Sequence, residues 1–210
     1  MRDRRRRALQ SYRQWAASYD LVSAVAGPIR RRAVDRLDLR PGDVVLDVGC
    51  GTGLSFPLIE DRIGPQGRLV GVDLSPDMLD EARRRVRRHR WDNVTLLCAA
   101  ARDAQIPVRA DAALFCLVHD ILRSPRGLEN TVAHLKPGAR VVAAGAKWAP
   151  WWAPAVNLTV WVLNRPFVTT FQGFRRPWEA LDRHVPDLQV EILPAYLAGA
   201  YIAWGTTRLQ

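Results

Sequence analysis

From residue 44 onward the chain alternates between short, nearly continuous apolar runs and amphipathic stretches. Val44-Val45-Leu46-Asp47-Val48 is the first such run, as expected of a strand covered on both faces. Leu69-Val70-Gly71-Val72-Asp73 is the second, and Val94–Cys98, Asp111–Val118 and Ala139–Ala144 repeat the pattern. Between them the period changes. Leu54–Ile63 reads as a helix closed by Gly64-Pro65 and Gly67. Ser75 can cap the next helix, with Pro76 at its first position, and that helix runs to about Arg90. Its apolar stripe is Met78, Leu79, Ala82 and Val86, and its other face carries Arg83, Arg84, Arg87 and Arg88. Arg126–Leu135 reads as a helix ended by Lys136-Pro137-Gly138. Strand and helix alternating at this spacing imply right-handed crossovers and an α/β, doubly wound, parallel sheet.

The flanks differ. Arg2 to Arg7 is a basic run expected to be frayed and solvated, followed by one or two helices from Leu9 to Leu37, broken near Gly27-Pro28. Leu39 to Asp43 is turn chemistry. Toward the other end, Pro150–Phe174 is Trp-rich and expected to be mostly helical, and Pro177–His184 reads as a short helix. Gln189–Leu193 and Ala200–Trp204 read as two strands, most simply an antiparallel pair at the sheet edge. The chain thus divides into a helical cap over 1–40, a ligand-binding core over 41–146, a Trp-rich lid or substrate segment over 147–186 and a strand pair of the same sheet over 187–210.

Composition narrows the classes. At 210 residues, with 48% hydrophobic and 25% charged, the chain fits one globular domain with a real core. The net charge of +10 invites a nucleic-acid or anionic-membrane partner. Lys136 and Lys147 are the only lysines, however, and abundant Arg and Ala fit a GC-rich coding bias equally well. Cys50, Cys98 and Cys116 are scattered, with no Cys-x-x-Cys spacing, which argues against a disulfide scaffold and against a metal site. Each lies in or beside an apolar run, so all three are expected to be buried, in a reducing compartment. No apolar signal segment follows the charged start, and Ala149–Leu163 is too short to span a bilayer and contains Pro150, Pro154 and Asn157. The expectation is a cytoplasmic protein, with peripheral contact to an anionic membrane left open.

The strongest chemical signal is Val45-Leu46-Asp47-Val48-Gly49-Cys50-Gly51-Thr52-Gly53. It lies at the carboxyl end of the first strand, where parallel sheets bind ligands. Glycines let the backbone approach a ligand, and the helix that follows offers unpaired N–H groups and a positive dipole end. A glycine loop alone is weak, because dinucleotide enzymes have one too. The spacing here is G-x-G-x-G, not G-x-G-x-x-G, and Asp47 stands just before it. A carboxylate would repel a pyrophosphate but suits a ligand carrying an ammonium and a sulfonium. Asp73, about twenty residues past the loop, is placed to bind ribose hydroxyls in either ligand class.

Residues 44–53 resemble motif I of the class I S-adenosylmethionine-dependent methyltransferases. Val70-Gly71-Val72-Asp73-Leu74-Ser75-Pro76-Asp77-Met78-Leu79 is similar to the segment that follows it in the quinone-biosynthesis and phospholipid methyltransferases, and Leu135-Lys136-Pro137-Gly138-Ala139-Arg140 to their turn before strand five. The resemblance covers roughly residues 19–146. It implies a Rossmann-like, doubly wound, seven-stranded sheet, mostly parallel with an antiparallel last strand, and S-adenosyl-L-methionine as cofactor. It also implies that Asp47, Gly49, Cys50, Gly51 and Gly53 contact the methionine part, Asp73 the ribose, and Leu74 and Met78 the adenine, with Thr52 and Leu117 also at the cofactor. The Asp that usually follows strand three is missing from Cys98-Ala99-Ala100-Ala101-Arg102-Asp103. Either Asp103 serves through a shifted loop or backbone N–H groups at Ala100 or Ala101 hold the adenine. Tyr19 resembles a family aromatic that closes over the cofactor, and reads equally as a helix-packing tyrosine.

Methyl transfer from a sulfonium relies mainly on proximity; a phenol or carbon acid as acceptor also needs a base. The candidate is His119, with Asp120 beside it, at the end of strand four, and a structural hydrogen bond is the competing role for that histidine. His89, His134 and His184 read as surface residues. Trp148, Trp151, Trp152, Trp161, Phe167, Phe171 and Phe174 could line an apolar pocket, sit at a membrane interface or simply pack as a lid. With basic N-terminal helices, the pattern suggests a lipid-like acceptor near anionic lipid. Gly53-Leu54-Ser55-Phe56-Pro57 resembles the same stretch of bacterial phosphatidylethanolamine N-methyltransferases, which favours a phospholipid headgroup. The alternatives are O- or C-methylation of a quinone or aromatic metabolite and a non-catalytic nucleoside-binding regulator. An NAD-dependent oxidoreductase is disfavoured by the loop spacing. A nucleic-acid methyltransferase is disfavoured because no Asn/Asp-Pro-Pro-aromatic signature follows strand four. Oligomeric state is not readable.

Overall fold

The structure is a computed structural model that describes residues 26–193 and 199–208. Tyr19, the basic run Arg2–Arg7 and the expected helical stretch before Ala26 lie outside the described residues.

One seven-stranded sheet organises the chain, in the order β3-β2-β1-β4-β5-β7-β6. The strands are β1 (Val44–Val48), β2 (Arg68–Asp73), β3 (Val94–Cys98), β4 (Ala110–Cys116), β5 (Leu135–Ala146), β6 (Gln189–Ile192) and β7 (Ala200–Thr206). The first five are parallel. β7 runs antiparallel to β5 and to β6, so it enters between them and leaves β6 at the edge. That edge is short and carries Glu191, which accepts from Arg32 and Arg36 at 2.6 and 2.9 Å; a charged, four-residue edge resists pairing with other chains.

The helices are α1 (Gly27–Asp35), α2 (Phe56–Ile63), α3 (Pro76–His89), α4 (His119–Leu122), α5 (Pro125–Ala133) and α6 (Pro154–Asn164), with a 3₁₀ turn over Glu179–Arg183. Alternating strand residues feed two core clusters, one on each face. Leu46, Val48, Val70, Val72, Phe115 and Val141 pack beneath Leu122, Leu128 and Leu181. Val45, Leu69, Ala112, Leu114 and Val142 pack beneath Ile29, Val34, Phe56, Ile59 and Leu79. This two-sided burial explains the uninterrupted apolar runs.

Several expected boundaries move, each for a local reason. The helix expected from Leu54 begins at Phe56, with Pro57 in its first turn. Leu135 and Lys136-Pro137-Gly138 belong to β5 rather than ending a helix. Leu135 pairs with Ala110, the register shifts before Ala112 pairs with Arg140, and Gly138 at φ 73° absorbs the irregularity. Of Pro150–Phe174 only α6 is α-helical, and it stops at Asn164 because Pro166 has no N–H to continue the helical hydrogen bonds. Pro177–His184 contributes only the 3₁₀ turn. Cys98 is exposed rather than buried, because β3 forms the other edge of the sheet, whereas Cys50 is buried. β4 ends at Cys116, so His119 does not end the strand but opens α4.

Candidate functional site

β1, β2 and β4 lie side by side, and their carboxyl ends bring the glycine loop, Asp73 and the β4–α4 turn together. The N–H groups of Gly49 and Cys50 both donate to the Val72 carbonyl, at 2.7 and 3.1 Å, which folds the loop back over β2. Gly49 has φ 78°, and a Cβ there would meet Val118 Cγ1 at 2.4 Å and Ile121 Cδ1 at 2.8 Å. Glycine is therefore required at 49 for both backbone and space. Gly51, at φ 55°, differs: a Cβ would meet nothing within 4 Å, so its surface faces an open cradle. Thr52 is buried and its carbonyl accepts from Arg85 Nε at 3.0 Å, bracing the loop from α3.

Two carboxylates sit beside this cradle. Asp73 accepts from the Gly51 N–H at 2.9 Å and the Ser75 N–H at 2.8 Å, tying the loop to the end of β2. Its carboxyl is pushed up by burial, which these hydrogen bonds partly oppose. Asp47 is almost wholly buried, and its Oδ2 has no donor among the described residues. Burial pushes its pKa up to about 7, against the pull of Arg30, and Asp73 adds to the rise while the Ser55 hydroxyl opposes it. A buried carboxylate lacking a donor is costly unless a cation or donor completes it.

The other expected contacts separate into kinds. The Cys50 side chain turns away from the cradle, its Sγ 2.9 Å from where a Gly71 Cβ would stand, so only its backbone faces the loop surface. Its thiol is pushed well above the usual value by burial and by Asp47 and Asp73. Leu74 is half-buried beside Asp73, and Met78 is buried. Ala100 and Ala101 are half-buried past β3, where the Ala99 N–H is already bonded to the Asp73 carbonyl at 3.0 Å. Asp103 is exposed and ion-paired to Arg102 at 3.2 Å, so its carboxylate is held by a surface neighbour. Leu117 adopts φ 62°, a strained backbone for a branched side chain and a mark of functional turns.

His119 and Asp120 grip the later segment. His119 Nε2 lies 2.9 Å from the Gln172 carbonyl, which can only accept, so Nε2 carries the proton. Nδ1 is buried with no partner among the described residues, and burial lowers the pKa of the ring by disfavouring its charged form. Asp120 Oδ2 accepts from the Thr169 N–H at 3.0 Å. His119 meets Phe174 edge-on at 4.2 Å, and Phe174, Phe171 and Trp148 form one aromatic cluster with centroids 4.9 to 5.7 Å apart. Just past the end of β5, Lys147, Trp148, Pro150, Trp151, Asn157 and Arg175 border a cavity of about 670 Å³. Of the expected surface histidines, His89 is exposed and stacked on Trp91, whereas His134 is half-buried with Nδ1 2.7 Å from the Asn130 carbonyl.

Sequence reading missed Arg30. It is buried on α1 and acts on both Asp47 and Cys116. The signal was present: Ile29, Arg30, Ala33 and Val34 share one helical face, which puts one arginine of the Arg30-Arg31-Arg32 run inward.

Residues 45–138 match a family described as "Methyltransferase domain". The chain is 34% identical over 139 residues to a demethylmenaquinone methyltransferase of Symbiobacterium thermophilum, covering 62% of this chain and 55% of that relative. It is 30% identical over 107 residues to an aklanonic acid methyltransferase of Streptomyces sp. strain C5, covering 50% of this chain and 49% of that relative. The chain thus spans about half the length of these curated relatives. Among solved structures, a geranyl diphosphate C-methyltransferase of Streptomyces coelicolor, in complex with S-adenosyl-L-homocysteine, superposes with a TM-score of 0.64 at 21% identity, covering 89% of this chain and 76% of that one, a likeness of fold.

Proposed function

We propose that this chain, whose residues 45–138 match a methyltransferase domain family, transfers the methyl group of S-adenosyl-L-methionine to a small amphipathic acceptor. The observation that carries the reading is Asp47. Its buried Oδ2 lacks a donor beside an open glycine cradle, which is the environment a cationic ligand completes. The ammonium of the methionine part suits this carboxylate, and the sulfonium adds positive charge nearby. The loop glycines give close backbone approach, the Asp73 carboxylate accepts from ribose hydroxyls, and the Ala100–Ala101 turn offers backbone to the adenine. The bound cofactor supplies an already activated methyl group. What the protein supplies is position, a contribution equivalent to ~10⁵ M or more in effective concentration.

For the acceptor, the cavity past β5 combines indole walls with Lys147 and Arg175 at its border. Those features suit an apolar body bearing an anionic group. A phospholipid with a headgroup amine meets that description and is our first choice. A quinone or aromatic acid is the second reading, favoured by the names of the menaquinone and aklanonic acid relatives. An acceptor that must lose a proton would give it to His119 Nδ1, the unpartnered lone pair held on a neutral ring near the end of β4.

Calorimetry with S-adenosyl-L-homocysteine and with NAD tests the cofactor: binding of the first alone is expected, and binding of NAD alone would refute the assignment. Incubation with methyl-labelled cofactor and either phosphatidylethanolamine vesicles or a demethylated quinone then separates the acceptors. Label in the quinone and not in the lipid would overturn our first choice.

A further inference from the structure

The most exposed apolar surface of the described chain lies outside the cofactor site. Trp151 is 89% exposed and Trp152 64%, and on α6 Leu158, Trp161, Val162 and Leu163 are also exposed, with only Val160 buried. From Trp148 to Asn164 there is no charged residue at all. Contiguous exposed apolar surface of this kind marks an interaction site in a folded domain. It is also braced. Asn157 bonds the N–H and the carbonyl of Ala149 through its side chain, at 2.8 and 3.3 Å, which fixes α6 against the loop bearing the tryptophans.

Charge identifies the occupant. Lys147 and Arg165 bracket the patch in sequence, Arg175 borders the same cavity as Trp151, and no Asp or Glu occurs anywhere from Lys147 to Arg176. The Arg165 guanidinium lies over the Trp161 ring, 5.0 Å from its centroid, at the border of the apolar surface. A second copy docked on the same face would bring this cationic border against itself. The N-terminal run Arg2–Arg7 would meet it with like charge as well. An anionic lipid surface satisfies both parts: acyl chains receive the leucine and valine side chains, indoles favour the headgroup boundary, and the border cations meet phosphates. Among the described residues no helix is long and apolar enough to cross a membrane, so the geometry is that of a helix lying in the interface.

We propose that the Trp151–Arg165 segment docks this protein on anionic membranes, with Trp151, Trp152 and Leu163 entering the boundary and Arg165 and Arg175 contacting headgroups. The cavity bordered by Trp148, Trp151 and Arg175 then opens at the lipid surface. The docking itself does not depend on methyl transfer.

The test is co-flotation of the full chain, without cofactor, with phosphatidylcholine vesicles and with vesicles containing phosphatidylglycerol. Binding only to the anionic vesicles is expected, with quenching of indole fluorescence by brominated acyl chains. Trp151→Ser/Trp152→Ser/Leu163→Ser should weaken binding about tenfold or more with an unchanged melting temperature, and this variant keeps the N-terminal arginines, so its loss reports on the patch. Arg165→Gln/Arg175→Gln should remove the preference for anionic lipid. The proposal is overturned if the wild type ignores anionic vesicles, or if the serine variant binds as well as wild type. It is overturned equally if the wild type sediments as a dimer that the serine substitutions dissociate, which would assign the face to a second copy. Binding of S-adenosyl-L-homocysteine, measured separately, tells a failure of docking from a failure of the cofactor reading.

Discussion

The stretch from Val44 to Ser75 and the stretch from Lys147 to Arg176 are both rich in apolar residues, yet they spend them in opposite ways. In the first, Val45, Leu46, Val48, Leu69, Val70 and Val72 alternate into two core clusters, and the unsatisfied element is a charge, the buried carboxylate of Asp47. In the second, Trp151, Trp152 and Leu158 stand in solvent, and the unsatisfied element is apolar surface with Arg165 and Arg175 at its border. Each is unfavourable in isolation, and each points to a missing component of opposite character: a cation for the first and an anionic, apolar phase for the second.

That contrast can be broken by substitution, beginning where the effect is largest. Gly49→Ala forces a Cβ against Val118 and Ile121 in a left-handed backbone. A loss of about 3 kcal/mol in guanidinium unfolding is expected, combining strain and overpacking. A variant as stable as wild type would show that the loop relaxes freely.

Next comes Arg30→Met, which should lose about 2 kcal/mol at pH 8 through the uncompensated carboxylate of Asp47. Asp47 is held above the ordinary carboxyl value, up to about 7, so the native state favours its protonated form. Its contribution to stability therefore falls as pH rises from about 4 to about 7. Removing Arg30 raises that pKa further, so the variant should be hurt more at pH 8 than at pH 6. Equal losses at the two pH values would remove Arg30 from the account.

A smaller effect on stability, about 1 kcal/mol, is expected for His119→Phe, which removes the bond to the Gln172 carbonyl. Transfer to an acceptor that must lose a proton should slow ~100-fold or more in that variant. In the wild type the rate should fall as pH drops through a histidine pKa below its usual value, because burial disfavours the charged ring. A variant that loses stability but retains its rate would leave His119 as a clamp on the aromatic segment. The smallest change belongs to Trp151→Ser, expected within ~0.5 kcal/mol of wild type by thermal melting because the side chain is solvated.

The same contrast explains what was legible in the sequence. Strands buried on both faces write themselves as apolar runs, so β1, β2, β4 and β5 and their parallel direction follow from the pattern, and β6 and β7 pair antiparallel as expected. The glycine loop and Asp73 were legible because left-handed turns and a close backbone approach admit few residue types. Arg30 was hidden because a buried arginine looks like its solvated neighbours until the helical face is drawn. His119 was read as a strand end because nothing in Leu117-Val118 announces the positive φ that turns the chain into α4. Trp151 and Phe174 carry the same apolar signature, yet one is exposed and the other buried, since tertiary packing rather than hydrophobicity separates them.

The central claim is that Asp47 is completed by a cationic nucleoside ligand, and titration calorimetry with S-adenosyl-L-methionine at pH 8 and pH 6 tests it most directly. With the carboxyl titrating at about 7 in the free protein, affinity should fall several-fold to tenfold on going to pH 6. Asp47→Asn should bind more weakly and lose most of that dependence. Equal affinity at both pH values in the wild type, or an Asp47→Asn variant that binds as tightly, would contradict the account.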